Sequence, residues 1–378
     1  MNLAFAASDP GTVGIEWEVG LVDRTTLELT PAASRVLGAL ADPTSGPIRR
    51  EYLTSMVELV TGVHTRVSDA VAELADLLGR LRGLLGDDVV PIGVGTHPTS
   101  RASAQEHFDV PRYRVVAEDN GWWGRQMVTL GTHVHVGVAH RDQALPITTG
   151  LAPFCPFFIA LSGSSPYWQG EDTGFASNRT MLFQQLHTNG LPVAMETWDE
   201  FAAYASSLEE VGMITAMGEI RWDIRPSGFG TVENRLADSV PTLAELGAVA
   251  ALTQCAASWL ADQLDEGRPL PWQPSWFLQE NKWRAARYGL DAHIITTDPA
   301  HRVQPLRDRL LTWLDRFEPY ARRHGCEAEL AWCETLLSVG ASCARQRAAL
   351  AASSDFKDVT RLLIAETGAE APTRVATD

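Results

Sequence analysis

A ten-residue segment near the start of the chain, GIEWEVGLVD (residues 14–23), places two glutamates two positions apart in an otherwise apolar run. Its branched aliphatic and aromatic residues predict a β-strand over residues 12–22. Since successive side chains of a strand alternate between its faces, Glu16 and Glu18 share one face and Trp17 belongs to the other. We expect a strand this apolar to be central in its sheet, with its far face covered.

Two explanations are open for the glutamate pair. The first is a solvated strand face. The second is a metal site, because residues at i and i+2 lie ~6.6 Å apart along a strand. At that spacing two carboxylates serve two neighbouring divalent ions more easily than one. Paired metals of this kind are typical of phosphoryl transfer.

Charge and composition narrow the class of protein. The 378 residues include 31 basic and 47 acidic ones, and the formal net charge of −16 argues against a general nucleic-acid binder. No apolar run reaches the ~18 residues of a membrane helix, and the opening MNLAFAASDP lacks the basic start of a secretory signal. We therefore expect a cytoplasmic protein with no membrane or nucleic-acid partner, whose five cysteines form no disulfide framework.

The order of predicted elements indicates an α+β fold. Strands and helices are mixed without regular βαβ alternation, which favours an antiparallel or mixed sheet. Neither GxGxxG after a strand nor GxxxxGK[ST] occurs. The predicted elements are a helix at 63–88 capped by Ser68 or Asp69, strands at 89–98 and 126–138, a buried helix at 146–166 opened by Pro146, two strands within 212–239, a helix at 242–267 and a helical hairpin of 305–325 with 327–353.

We expect three segments along the chain. Residues 1–10 show no periodic pattern and are predicted to be a disordered leader. Residues 11–353 form a single catalytic domain. Residues 354–378 are predicted to be a C-terminal tail, with disorder over the last ten or so residues.

A second acidic pair lies in REYLTSMVELVTGV (50–63), where Glu51 and Glu58 are seven residues apart. That spacing puts them on one face of a helix but on opposite faces of an unbroken strand. Glu58 is the single charge in an apolar run, and a buried charge needs an ion-pair partner or a metal. Both interpretations of Glu58 stay open.

Two histidines in GTHVHVGV, His133 and His135, share one predicted strand face. An HxH pair on a strand is a common zinc site, so a zinc hydrolase is one alternative function. The parallel β/α repeats of such barrels are missing from the pattern, and no HExxH motif occurs.

Acids and arginines alternate in EIRWDIRPSGFGTVENRLADS (219–239). In strand spacing, one face carries Glu219, Arg221, Asp223 and Arg225, and after the turn another carries Glu233 and Arg235. Such rows form either a surface ion-pair ladder or the wall of a cleft that handles carboxylates and phosphates. We favour the cleft, because the planar fork of arginine fits both groups.

Six segments together resemble the type 2 glutamate–cysteine ligase, or carboxylate–amine ligase, family. They are GIEWEVGLVD, SMVELVTG, GVGTHP, TLGTHVHVGV, RPSGFGTVENRLADS and NKWRAARYGLDA, and the resemblance runs from about residue 11 to residue 292. It implies a glutamine-synthetase-like fold, in which a curved, mostly antiparallel sheet forms a funnel with helices packed outside. It also implies an ATP- and Mg²⁺- or Mn²⁺-dependent ligase, which joins the γ-carboxylate of glutamate to an amine, usually cysteine, through an acyl phosphate.

The resemblance also implies roles for individual residues. The expected ligands of two or three metal ions are Glu16, Glu18, Glu51, Glu58, Glu233 and His133. The expected catalytic groups are Arg225, Arg235 and His133, and the expected nucleotide- or substrate-binding groups are Arg112, Arg179, Asp223, Arg225 and Arg235. Asn234, which flanks the site, replaces a usual aliphatic residue. HTNG (187–190) replaces the more usual PTSG, and this second departure bears on the choice of substrate. Family habit further suggests a homodimer.

Three alternatives to a ligase differ in products or metals. A guanidino kinase-like phosphotransferase has a related sheet and would yield ADP and a phosphoguanidine. A zinc hydrolase built on His133 and His135 would bind zinc and need no ATP. A catalytically inactive binding protein would be expected to have lost charged positions that this sequence retains.

Overall fold

The structure is a computed structural model and describes residues 3–373. Its strands are β1 (Val13–Asp23), β2 (Ile48–Arg50), β3 (Met56–Val60), β4 (Val89–Ile92), β5 (Gly131–Gly137), β6 (Tyr167–Trp168), β7 (Glu171–Asp172), β8 (Asn189–Gly190), β9 (Arg221–Trp222), β10 (Ile224–Ser227), β11 (Thr231–Asp238), β12 (His293–Ile295) and β13 (Val303–Pro305). Its α-helices are α1 (Ala33–Gly38), α2 (Val67–Leu85), α3 (Pro111–Asp119), α4 (Gly121–Arg125), α5 (Arg141–Leu151), α6 (Cys155–Ser162), α7 (Asn178–Phe183), α8 (Trp198–Glu210), α9 (Leu243–Asp265), α10 (Ser275–Tyr288), α11 (Leu306–His324), α12 (Glu327–Val339), α13 (Ser342–Ser353) and α14 (Phe356–Glu366).

The main sheet has seven antiparallel strands built around β1. Its order is β10-β11-β5-β1-β3-β2, and β4 pairs with the last residues of β1. The apolar face of β1 is fully buried, with Ile15, Trp17 and Val19 all inaccessible to solvent. The strand is central in the sheet, between β5 and β3, as predicted.

Helices cover the apolar face of the sheet and leave the acidic face open. The long helix α9 contacts β1, β5 and β11, and α2, α5, α11 and α12 pack around it. A capping box fixes its first turn, because Thr242 and Glu245 each accept from the other's backbone N–H. The indole N–H of Trp17 donates to Ser239 Oγ and Val240 O, both at 3.1 Å, just before this helix begins.

Several predicted boundaries differ from the structure. Helix α2 has the predicted apolar stripe but begins at Val67, so neither Ser68 nor Asp69 caps it. Pro146 lies inside α5 and does not open the helix, and a 3₁₀ turn separates α5 from α6. The second arm of the hairpin breaks at Gly340, whose φ of +82° ends α12.

Two helical stretches are apolar enough by length and composition to span a membrane, although no such run was expected. They are Arg141–Ser162 and Leu243–Asp265. Within the fold, 83% and 94% of their apolar windows are buried, as in the core helices of a globular protein.

Parts of the predicted leader and of the predicted tail contact the rest of the chain. Residues 3–10 lie against the fold: the rings of Phe5 and Trp198 are 5.2 Å apart, and Ala6 N–H donates to Gly228 O at 3.0 Å. The predicted tail contains α14, whose Glu366 forms a fully buried ion pair with Arg345 at 2.9 Å. The part of the expected C-terminal disorder that falls on residues 374–378 lies outside the described residues.

Candidate active site

The register of the main sheet gathers acids and histidines from distant parts of the chain. Glu18 lies opposite Glu58, and Glu16 lies opposite His133. On the other side of β5, His135 lies opposite Glu233. Directly opposed residues in antiparallel strands share a face, so these side chains all project from the open side of the sheet.

A cavity of about 490 Å³ lies over this open face. Of the predicted site residues, its lining includes Glu16, Glu18, Glu51, Glu58, His133, Arg112, Arg179, Arg225 and Arg235. Glu233 lies beneath the lining, nearly inaccessible to solvent, and is joined to the cavity by its two arginine partners.

Glu233 is held as a carboxylate by those arginines. Arg225 Nε donates to it at 2.7 Å, and Arg235 Nη1 donates to its other oxygen. Burial raises the pKa of Glu233, but Arg225, Arg235 and His135 outweigh burial and hold the pKa well below its usual range. A fixed negative charge therefore lies at this end of the cavity.

Glu16 is ionised for a similar reason. Burial raises its pKa, but hydrogen bonds with His133 at 3.0 Å and His135 at 3.3 Å outweigh burial, and the pKa lies well below its ordinary value. Burial and the charge of Arg235 lower the pKa of His133 to about 4, so its ring is neutral near pH 7. A neutral ring that donates from Nδ1 to Glu16 presents the lone pair of Nε2.

That Nε2 atom is buried and has no hydrogen-bond partner among the described residues. It lies 4.0 Å from Glu18 Oε1. A buried acceptor without a donor is uncommon in proteins, and a bound cation would satisfy it.

The remaining carboxyl groups repel one another. Burial and the charge of Glu51 raise the pKa of Glu18 to about 8. Burial and the charges of Glu16, Glu51 and Glu18 raise the pKa of Glu58 well above its usual value. Arg49, at 3.9 Å from Glu58, offsets only part of this repulsion. The pKa values of Glu18 and Glu58 therefore stay raised although arginines lie near both groups.

The donor atoms fit divalent metal ions. Two overlapping sets, Glu16 with His133 and Glu233, and Glu18 with Glu58 and His133, each have ligand atoms within 4.8 Å of one another. Oxygen donors outnumber nitrogen donors in both, which suits Mg²⁺ or Mn²⁺ better than zinc.

Arginines form the wall beside these acids. Arg179, from α7, is buried and donates to the backbone carbonyl of Arg235 at 3.3 Å. The ring of Phe183 lies 5.4 Å from the Arg179 guanidinium and 6.0 Å from that of Arg235. Gly131 makes room for this guanidinium, because a Cβ there would displace Arg179 from its present position.

Comparison with known families agrees with this architecture. The model of the glutamate–cysteine ligase family 2 matches residues 12–361. The chain belongs to this family. The protein is therefore an enzyme of the ligase class, in a family of carboxylate–amine ligases.

Curated relatives match nearly the whole chain. A protein of Arthrobacter sp. (strain FB24), named "Putative glutamate--cysteine ligase 2-1", is 45% identical over 361 residues, covering 92% of this chain and 93% of the relative. A protein of Mycobacterium tuberculosis (strain ATCC 25618 / H37Rv), named "Putative glutamate--cysteine ligase 2", is 44% identical over 368 residues, covering 97% of each.

Solved structures confirm the fold of the ligase. The glutamate–cysteine ligase of Francisella tularensis in complex with AMP has a TM-score of 0.70 at 14% identity, covering 96% of this chain and 90% of that one. A bifunctional glutathione synthetase from Pasteurella multocida has a TM-score of 0.65 at 14% identity, covering 94% of this chain and 51% of that one. The predicted α+β class, with an antiparallel sheet and outer helices, is confirmed.

Asp223 is not in the lining of the cavity of this ligase, although its neighbours are. The edge strand breaks between β9 and β10 at this residue, and the Asp223 carboxylate turns towards α10 to meet Lys282 Nζ at 2.6 Å. Both groups are buried. The prediction that Asp223 shares a face with Arg221 and Arg225 is wrong, because it assumed one continuous strand.

Sequence reasoning assigned no role to several cavity residues. Arg49 and Arg50 line the cavity beside Glu51, and Tyr113 lines it beside Arg112. Their positions in the sequence could have indicated them, because each lies within two residues of a predicted site residue. Phe183 carried no pattern that ties it to the acids. Lys282 lies outside the lining, in the segment NKWRAARYGLDA, to whose residues no individual role was assigned.

Proposed function

We propose that the protein is an ATP-dependent carboxylate–amine ligase, which joins the γ-carboxylate of glutamate to cysteine or another small amine. One observation carries the proposal: carboxylates from three strands and the β2–β3 connection meet under a rim of arginines. Such a site accommodates phosphates together with the cations that neutralise them. We place this activity in the cytoplasm, and a homodimer is the proposed assembly.

Two or three Mg²⁺ or Mn²⁺ ions are proposed to be held by Glu16, Glu18, Glu51, Glu58, Glu233 and His133. When bound, the ions neutralise the charge of the ATP phosphates during phosphoryl transfer. The ligand set explains why the cavity tolerates carboxyl groups whose pKa values are otherwise raised by burial and mutual repulsion.

The arginines supply fixed positive charge at the reacting groups. Arg235 has the freer guanidinium, because its Nε is buried without a partner among the described residues while one Nη binds Glu233. Arg225 donates from Nε to Glu233 and from Nη1 to the carbonyls of Gly218 and Ile220. We therefore assign Arg235 to the transferring phosphoryl group and Arg225 to holding the cavity wall and stabilising charge beside it.

The proposed reaction has two steps. A carboxylate oxygen of the acid attacks the γ-phosphorus of ATP, the bond to the bridging oxygen breaks, and ADP leaves. The amine nitrogen then attacks the acyl carbon of the acyl phosphate, inorganic phosphate leaves, and the nitrogen loses a proton. Arg112 and Arg179 bind the anionic groups of nucleotide and acid. A neutral His133 would offer the lone pair of Nε2 to a metal ion.

The decisive experiment is product analysis. Purified protein is incubated with ATP, Mg²⁺, glutamate and a panel of amines, and ADP, phosphate and new amides are quantified. We expect ADP, phosphate and amide in equal amounts, and loss of all three in Glu18→Gln and Glu58→Gln with unchanged circular dichroism. The exposed Glu171→Gln, in β7, is the matched control. Full activity in both cavity variants, or a phosphoguanidine product, refutes the proposal.

A further inference from the structure

Arg221 is an arginine of the cavity wall whose guanidinium forms no ion pair among the described residues. Arg225 and Arg235 bind Glu233, and Arg49 lies near Glu58. Arg221 also lines the cavity and is half-buried, yet its guanidinium forms no hydrogen bond and no ion pair with any residue within 3–373. Leaving a half-buried guanidinium unpaired has a cost, and an anionic ligand would remove that cost.

Glu219 lines the same wall two residues earlier. Its carboxylate accepts from the backbone N–H of Thr215 at 2.6 Å and from the Thr215 hydroxyl at 3.1 Å. These bonds hold the carboxylate in place and leave part of its acceptor capacity free. Within the described chain it forms no ion pair with Arg221, so the cavity wall carries an acceptor and a donor that both have capacity for a ligand.

Glu219 and Arg221 form one corner of the cavity. This corner is fixed relative to the acidic floor of the cavity, which is formed by Glu16, Glu18, Glu58 and Glu233. Arg225 donates to Gly218 O at 2.9 Å and to Ile220 O at 3.0 Å, one residue on either side of Glu219. The same guanidinium binds Glu233 at 2.7 Å. One side chain thus ties the segment that carries the corner to a proposed metal ligand.

The opposite edge of the sheet has a different character. There the lining contains Arg50, Tyr52, Arg112 and Tyr113, and a second cavity of about 710 Å³ shares Tyr52 with the first. The larger, aromatic-lined space beyond β2 suits a nucleotide. The corner beyond β10 suits a small ligand that carries both charges, because it offers one acceptor and one donor.

We propose that Glu219 and Arg221 bind the charged head of the acid substrate, Glu219 the α-ammonium and Arg221 the α-carboxylate, so that the side-chain carboxylate extends towards the floor. This assignment rests on the proposed ligase function. It makes an α-amino acid, and not a simple dicarboxylate, the substrate class. Both are specificity-determining residues that act on the part of the substrate remote from the reacting bond.

The test compares glutamate with glutarate, which has no ammonium group. Steady-state ADP release gives KM and kcat for each acid, and calorimetry gives glutamate affinity in the presence of Mg²⁺ and a non-hydrolysable ATP analogue. We expect Arg221→Gln to raise the KM for glutamate at least tenfold while the KM for ATP stays within twofold. Glu219→Gln should weaken glutamate at least tenfold and leave glutarate unchanged, which removes the preference for the amino acid.

Matched controls are Arg80→Gln on α2 and Glu171→Gln on β7, both exposed. Unchanged glutamate affinity in either cavity variant overturns the inference, and so does equal use of glutamate and glutarate by the unaltered enzyme. If the unaltered protein is an active ligase and the Glu219→Gln and Arg221→Gln variants bind glutamate as it does, only the assignment of these two residues is overturned. If the unaltered enzyme forms no amide with any acid and amine, the ligase proposal is overturned. Calorimetry still tests the assignment of Glu219 and Arg221 in that case, because an absence of glutamate binding counts against this assignment.

Discussion

Replacing Glu18 with glutamine should make the metal-free protein more stable at neutral and alkaline pH. The carboxyl group is buried, and its pKa is raised from 4.5 to about 8, first by burial and then by the charge of Glu51. Glutamine keeps the volume and an oxygen that accepts from Gly131 N–H, as the carboxylate does. The substitution therefore removes the ionisation and little else.

The magnitude follows from linkage between protonation and folding. A rise in pKa from 4.5 to about 8 corresponds to about 5 kcal/mol, at about 1.4 kcal/mol per pKa unit. Because the folded state binds this proton more tightly than the unfolded state, the stabilisation is complete below pH 4.5 and is lost as the pH rises towards 8. Most of this pH dependence falls between pH 5 and 8, and it should disappear in Glu18→Gln.

Urea unfolding followed by circular dichroism at pH 5, 6, 7 and 8, with a chelator present, measures this difference. We expect the free energies of unfolding to be similar at pH 5 and to diverge at pH 8, where the variant is more stable. Mg²⁺ should reverse the order, because metal binding to the folded state favours the intact carboxylate. Glu171→Gln should follow the unaltered protein throughout.

Parallel pH profiles for Glu18→Gln and the unaltered protein would refute this reasoning. That result would mean that Glu18 titrates normally, and hence that solvent reaches the carboxylate or that a protein cation neutralises it. A variant less stable than the unaltered protein at every pH would point instead to a structural role for the charge.

Two further predictions concern buried ion pairs outside the acidic floor. Lys282→Met should cost about 3–5 kcal/mol in urea unfolding, because it leaves the Asp223 carboxylate buried and unpaired; adding Asp223→Asn should recover most of the loss, and no recovery would contradict pairing. Arg345→Met should cost a similar amount by thermal unfolding, since Arg345 joins Glu245 of α9 to Glu366 of α14 at 2.8 and 2.9 Å. Wild-type stability in that variant would show that the C-terminal helix does not depend on this junction.

Side-chain alternation within a single strand was predictable from sequence. Glu16 and Glu18 face one way and Trp17 the other, because the period of a strand is two residues. The same rule places His133 and His135 together. A local rule suffices here because the residues belong to one unbroken strand.

Placement that depends on distant pairing was not predictable from the pattern. Glu18 meets Glu58 only because β1 and β3 pair in one particular register, about forty residues apart in the chain. Asp223 breaks its strand to reach Lys282, a residue of a helix far along the sequence. Helix α14 lies in the predicted tail, and its Glu366 meets Arg345 only in the folded chain.

The eleven residues of β1 serve two purposes in alternation, since odd positions such as Ile15 and Trp17 build the interior while Glu16 and Glu18 face the cavity. Deleting or inserting one residue there would exchange the two sets, sending carboxylates inwards and an indole outwards. We therefore expect single-residue insertions and deletions in β1 to abolish both folding and the site. Diversification of substrate use is expected instead at the cavity rim, where side chains such as Glu219 and Arg221 line the cavity without belonging to the hydrophobic interior.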